Sequence, residues 1–157
     1  MRSGLSGKLI SRGRDVIMKV SQIMTEDVVT VNRKDNIYEA AVKMKQHDTG
    51  FIPVVDQDGS TLIGVITDRD LVVRGIAEKK PGSTEVAEVM TQGIRTASVD
   101  MTIDEASELM AEQQIRRLPV TEGKKLIGIV SIGDMAVRNI FSDEAGEALS
   151  QISEQVH

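Results

Sequence analysis

The sequence is written twice. Met24-Thr25 returns as Met90-Thr91, Thr30 as Thr96, and Ile37-Tyr38-Glu39-Ala40 as Ile103-Asp104-Glu105-Ala106. Met44 returns as Met110 and Pro53-Val54 as Pro119-Val120, every pair 66 positions apart. Past a turn shortened by two residues, Leu62-Ile63-Gly64 returns as Leu126-Ile127-Gly128, and Thr67-x-x-Asp70 as Ser131-x-x-Asp134. A unit of about 55 residues is marginal as an independent core. Two copies are therefore expected to share one body with a pseudo-two-fold relation, and function is expected in the cleft between them.

Bulk properties exclude several classes. At 157 residues the chain fits one ordinary domain or two small subdomains. A net charge of −5 and three aromatics (Tyr38, Phe51 and Phe141) argue against a general nucleic-acid binder, which needs a basic footprint and stacking surfaces. No apolar run approaches the roughly 18 residues of a membrane span, so no membrane role is expected. Without cysteine there is no thiolate catalysis, disulfide or zinc–thiolate site, which fits a cytoplasmic protein.

Within each copy the pattern reads β-α-β-β-α, an α/β (α+β) organisation. A short amphipathic turn (Val20–Met24, Val86–Met90) leads to a strand at Val28–Val31 or Ile94–Ala97. A helix follows, with Ile37, Ala40, Ala41 and Met44, or Ile103, Ala106, Leu109 and Met110, on one face. Thr102-x-x-Glu105 is a capping box, and Asp35 or Asn36 can cap the first helix. Strands Phe51–Val55 and Leu62–Thr67 flank an Asp58-Gly59 turn, with Arg117–Thr121 and Leu126–Ser131 as counterparts. A second helix starts near Asp70 or Asp134. The divisions are a flexible leader (1–17), a first repeat (18–77), a linker through Pro81-Gly82 (78–84), a second repeat (85–140) and a tail that reads as helical (141–157).

The ordered motifs Gly64-Val65-Ile66-Thr67-Asp68-Arg69-Asp70, Gly128-Ile129-Val130-Ser131-Ile132-Gly133-Asp134 and Ile115-Arg116-Arg117-Leu118-Pro119-Val120 carry a resemblance. The chain resembles a tandem CBS-domain pair (a Bateman module) from about Val20 to Asn139, and looks like the small stand-alone bacterial proteins of that kind. The resemblance implies that Asp70 and Asp134 accept from ribose hydroxyls while Thr67 and Ser131 face ribose or phosphate. It also implies that Thr30-Val31 and Thr96-Ala97 read an adenine edge through their backbone. Side chains at Arg116 and Arg117, ahead of Leu118 and Pro119, would reach phosphates.

Each assignment has a plainer alternative. Thr or Ser three residues before an acid is also a helix cap that needs no ligand, although a capped start can hold a ribose as well. Adjacent arginines are usually a solvated pair, yet two guanidiniums can bind phosphate oxygens bidentately. The 30–31 and 96–97 segments read equally as buried strand. The first copy has Gly50-Phe51 where the second has Arg116-Arg117, and Arg69 is matched by Gly133. The two sites are thus expected to be unequal, with a phosphorylated ligand at the second and a first site that is weak, empty or dependent on Arg69.

The expected function is a non-catalytic sensor that binds AMP, ADP or ATP, or else NAD or S-adenosylmethionine, between the repeats, as a homodimer signalling to an unknown protein partner. No metal site and no required cofactor are expected beyond that regulatory nucleotide. His47 and His157 lack carboxylates at ligand spacing, and no nucleophile or Walker-type loop stands out. The alternative is a ligand-independent dimeric interaction scaffold.

Overall fold

The structure is a computed structural model that describes residues 11–12 and 15–135. The tail at 141–157, with Val137 and Arg138, lies outside the described residues. Within the 1–17 segment, β1 (Ser11–Arg12) pairs antiparallel with β2 (Asp15–Val16). The remainder is a mixed α+β arrangement of two three-stranded sheets and their helices.

The first sheet has the order β3 (Val31–Asn32), β4 (Phe51–Val55), β5 (Leu62–Thr67). β3 runs parallel to β4, with Val31 opposite Val54, and β4 runs antiparallel to β5, with Phe51 opposite Thr67. The second sheet repeats it as β6 (Ala97–Ser98), β7 (Arg117–Glu122), β8 (Lys125–Ser131). The opening strands were expected at Val28–Val31 and Ile94–Ala97, but regular pairing is confined to Val31–Asn32 and Ala97–Ser98. Apolar β-branched residues mark buried extended chain, whereas a ladder begins only where a partner strand is present.

Helix α1 (Ile37–His47) is capped by Asn36, whose side chain accepts from Glu39 N–H at 2.8 Å while Glu39 returns a bond to Asn36 N–H at 3.0 Å. The matching helix α3 (Ile103–Gln113) has the reciprocal bonds between Thr102 and Glu105. The second buried stripe is as expected (Ile103, Ala106, Leu109 and Met110), whereas the first keeps Ile37, Ala40 and Met44 but leaves Ala41 exposed, since it lies just past the edge of the buried face. The β4–β5 turn is organised by Asp58, which accepts from Ser60 N–H and Thr61 N–H at 2.9 Å each and from the Thr61 hydroxyl. Gly59 sits at φ +79°.

The chain forms two compact units, and neither follows sequence order. One holds Asp27–Thr96 with 121–127; the other holds residues up to Glu26, Ala97–Val120 and the chain from Gly128. The lead-in to the second repeat packs in the first-repeat unit. Val86 N–H donates to Asp35 O at 2.7 Å, and Thr91 exchanges two backbone bonds with Val65 at 2.8 and 3.0 Å. Val86, Val89 and Met90 join Val31, Ile52, Val54 and Ile66 in one buried cluster. The lead-in to the first repeat does the same in the other unit: Val20 N–H donates to Met101 O at 2.9 Å, and Thr25 pairs with Ile129 at 2.8 and 2.9 Å.

Glycine permits both approaches. A Cβ on Gly64 would lie 2.5 Å from Thr91 O, and one on Gly128 would lie 2.9 Å from Thr25 O. Both are backbone atoms that cannot swing aside. At Gly133, by contrast, the nearest atom is Ser131 Oγ at 3.7 Å.

Gly64→Ala should therefore cost about 1–3 kcal/mol, the usual range for overpacking, measured as a fall in the urea midpoint, while Gly133→Ala, in open helical backbone, should leave that midpoint unchanged or raise it slightly. The hydrogen bonds from Thr61 and Ser60 hold the Asp58 carboxyl at about 2, below its ordinary 3.8. A carboxylate lowered in the folded state adds stability above its unfolded value and loses it as pH falls towards the folded one. Asp58→Asn should accordingly flatten the decline in stability between about pH 4 and pH 2, followed by urea melts across that window.

Candidate functional site

At each strand-to-helix junction the repeated Thr/Ser-x-x-Asp motif forms a reciprocal cap. In the first repeat α2 (Asp68–Asp70) follows Thr67 directly and continues as a π-helical stretch over Leu71–Ile76, where Ala77 N–H donates to Val72 O at 2.8 Å. Thr67 Oγ1 accepts from Asp70 N–H at 3.1 Å, and Asp70 Oδ2 accepts from Thr67 N–H at 3.1 Å. Ser131 and Asp134 repeat this at 3.1 and 3.2 Å. The helix was expected near Asp70 or Asp134; it begins at Asp68 and at 132, because Thr67 and Ser131 occupy the cap itself.

The two aspartates differ beyond the cap. Asp70 is only 7% exposed. The Thr91 hydroxyl lies 3.0 and 3.1 Å from its two carboxylate oxygens, and Arg74 Nε stands 3.9 Å from Oδ1 while Arg74 Nη1 donates to Met90 O at 3.0 Å. Asp70 thus ties strand, helix and lead-in together. Asp134 is half-buried, and its hydrogen bonds among the described residues are the two cap bonds.

Backbone geometry also places the residues before β4 and β7 at these junctions. Gly50 O accepts from Asp68 N–H at 3.0 Å, and Arg116 O accepts from Ile132 N–H at 2.9 Å. Arg116 and Arg117 are both exposed beside the Ser131–Asp134 cap, while Leu118 and Pro119 are buried behind them. Arg69 is exposed, and its N–H donates to Asp68 Oδ1 at 2.8 Å.

The remaining candidates are set apart from the caps. Thr30 is half-buried and Val31 fully buried at β3, two strands across the sheet from Thr67. Thr30 O accepts from Lys43 Nζ at 2.8 Å, so one lone pair of that carbonyl is already engaged. Thr96 is half-buried and Ala97 fully buried at β6; Leu109 stands where α1 has Lys43. Among the described residues no cluster of three or more His, Asp or Glu is placed to hold a metal ion, and no helix is long and apolar enough to cross a membrane.

The sequence matches the CBS domain over residues 20–75 and again over 86–138. The chain belongs to the CBS-domain family. It is 51% identical over 136 residues to protein YlbB of Bacillus subtilis (strain 168), spanning 87% of this chain and 92% of that one. Among solved structures, CBSX2 in complex with AMP superposes with a TM-score of 0.69 at 25% identity, covering 78% of this chain and 96% of CBSX2. The CBS domain pair of MJ0100, in complex with 5′-methylthioadenosine and S-adenosyl-L-methionine, gives 0.67 at 28% identity over 78% and 95%.

Sequence reasoning passed over Asp68, Arg74 and Thr91, which shape the first CBS junction, and Lys43, which engages the Thr30 carbonyl. The signal for Thr91 was present, since Met-Thr is the first element of the repeat. What it lacked was any indication that the lead-in packs against the other copy.

The contact between Thr91 and Asp70 should be measurable as stability. Thr91→Val keeps the shape and the Val65 backbone pairing but leaves a buried carboxylate one donor short. The expected loss is about 1–3 kcal/mol, from urea denaturation of the intact chain; a loss below about 0.5 kcal/mol would show the hydroxyl to be dispensable.

Proposed function

We propose that this CBS pair is a non-catalytic regulatory module that binds an adenosyl ligand, with its phosphorylated form held at the second-repeat junction. The observation that carries this reading is the exposed Arg116-Arg117 pair, anchored by the Arg116 carbonyl to the junction where Asp134 caps the helix. Two guanidiniums match phosphate oxygens in charge and fork geometry. The half-buried Asp134 carboxylate can accept from vicinal ribose hydroxyls. Leu118 and Pro119 would supply apolar walls, and the backbone at Thr96-Ala97 would meet the base. The complexes of CBSX2 with AMP and of the MJ0100 pair with adenosyl compounds support that ligand class.

In the first repeat the corresponding set is Thr30, Val31, Thr67, Arg69 and Asp70. Asp70 there is engaged by Thr91 and Arg74, which makes it the weaker ribose acceptor. Binding acts as a signal through a difference in affinity between two arrangements of the protein, since equal affinity shifts nothing. Val72, Val73 and Ile76 on the π-helical stretch are exposed apolar residues suited to a homodimer contact. The same exposed face favours a second reading, a ligand-independent scaffold that docks a protein partner. A cysteine-free chain of this kind suits the cytoplasm.

Thermal unfolding with AMP, ADP, ATP, NAD and S-adenosylmethionine separates the two. A ligand at 100 times its dissociation constant adds about 2.7 kcal/mol. At least one should raise the Tm, and replacing Arg116 and Arg117 with alanine should abolish the rise for the phosphorylated ligands. No shift with any of them favours the scaffold.

A further inference from the structure

The two junctions share a backbone frame and carry opposite charge. Gly50 O to Asp68 N–H and Arg116 O to Ile132 N–H are the same bond, at 3.0 and 2.9 Å, so positions 50, 51 and 68 can be compared with 116, 117 and 132. The second copy presents Arg116, Arg117 and an apolar Ile132. The first presents Gly50, a half-buried Phe51 and the exposed carboxylate of Asp68. Counting the helix-start residues as well, Asp68, Arg69 and Asp70 sum to one negative charge, and Arg116, Arg117 and Asp134 to one positive charge.

Gly50 and Asp68 are coupled by space. A Cβ at position 50 would lie 2.7 Å from Asp68 Oδ2 and 2.8 Å from its Cγ, so the carboxylate occupies the volume from which the Arg116 side chain departs in the other copy. Gly50 has no positive φ. It is bare for room and not for backbone freedom. The Asp68 carboxylate is held in this place through Oδ1, which accepts from Arg69 N–H at 2.8 Å.

Resting on the adenosyl-binding reading above, we propose that Asp68 is a specificity-determining residue: it makes the first-repeat junction refuse a phosphate and accept an adenosyl compound whose 5′ end is neutral or cationic. A carboxylate where the second site has guanidinium repels an incoming phosphate, and desolvating the pair strengthens that repulsion. A neutral nucleoside meets no such charge, and a 5′ sulfonium is attracted. The pair then binds two chemically distinct adenosyl species, one at each junction.

The test is calorimetric titration of the intact chain with adenosine and with AMP at low ionic strength, where unscreened charge is best read. Arg116→Ala with Arg117→Ala removes the phosphate contacts of the second junction, and this background should still bind adenosine while AMP binds far more weakly. Adding Asp68→Asn, which keeps an oxygen for the Arg69 amide, should shift the AMP-to-adenosine affinity ratio towards AMP by roughly tenfold, the effect of one charge at a partly solvated site. Gly50→Ala in the same background displaces the carboxylate without removing its charge and should move the ratio in the same direction by less. A ratio unchanged to within about twofold by Asp68→Asn overturns the proposal. So does a double-arginine variant that binds no adenosine although the intact chain does. If the intact chain binds neither probe, the adenosyl-binding reading itself fails, an outcome distinct from the other two.

Discussion

The close backbone approach at Gly64 and Gly128 is the constraint on which the rest of the structure depends. A strand with a side chain at either place could not receive the lead-in carbonyl, Thr91 O or Thr25 O, that pairs beside it. Among the described residues each repeat offers three short strands and one 11-residue helix, too little to cover its own apolar face. The lead-in supplies the missing cover: Val86, Val89 and Met90 complete the cluster around Ile52, Val54 and Ile66. Because each lead-in belongs to the other copy in sequence, neither compact unit can be assembled from one contiguous repeat.

The same seating shapes the candidate site. Bringing Thr91 to β5 delivers its hydroxyl to Asp70, so the aspartate that caps a helix becomes the tie among strand, helix and lead-in. A buried carboxylate requires such donors, and meeting that need uses acceptor capacity a ribose would otherwise take. Asp134 carries fewer such ties among the described residues. Among the described residues, matching caps thus have different neighbours: Asp70 is tied to the lead-in by Thr91, and half-buried Asp134 stands beside two exposed arginines.

Much of this was legible in residues. The offset of 66 predicted duplicate architecture, the Thr102-x-x-Glu105 box predicted the start of α3, and Asp58-Gly59 predicted the hairpin turn. The inequality of the junctions was visible as Gly50-Phe51 against Arg116-Arg117. The capping role of Thr67-x-x-Asp70 was legible too, and the cap is formed. Not legible were the partners of that cap: Thr91 lies 21 residues from Asp70, and nothing local to either residue specifies the contact. The short extent of β3 and β6 was equally hidden, because a strand ends where its neighbour ends.

By itself, then, the chain's sequence determined everything that depends on short-range chemistry: helix caps, apolar periodicity, turn glycines, the repeat and the distribution of charge between its copies. Tertiary structure alone decided which copy each lead-in covers, that Asp70 is claimed by Thr91, and that the Asp68 carboxylate fills the space left by Gly50. The physical reason is one of range. Caps and turns are set by bonds across three or four residues, whereas burial, carboxylate partners and excluded volume are set by atoms that come together only when distant segments pack.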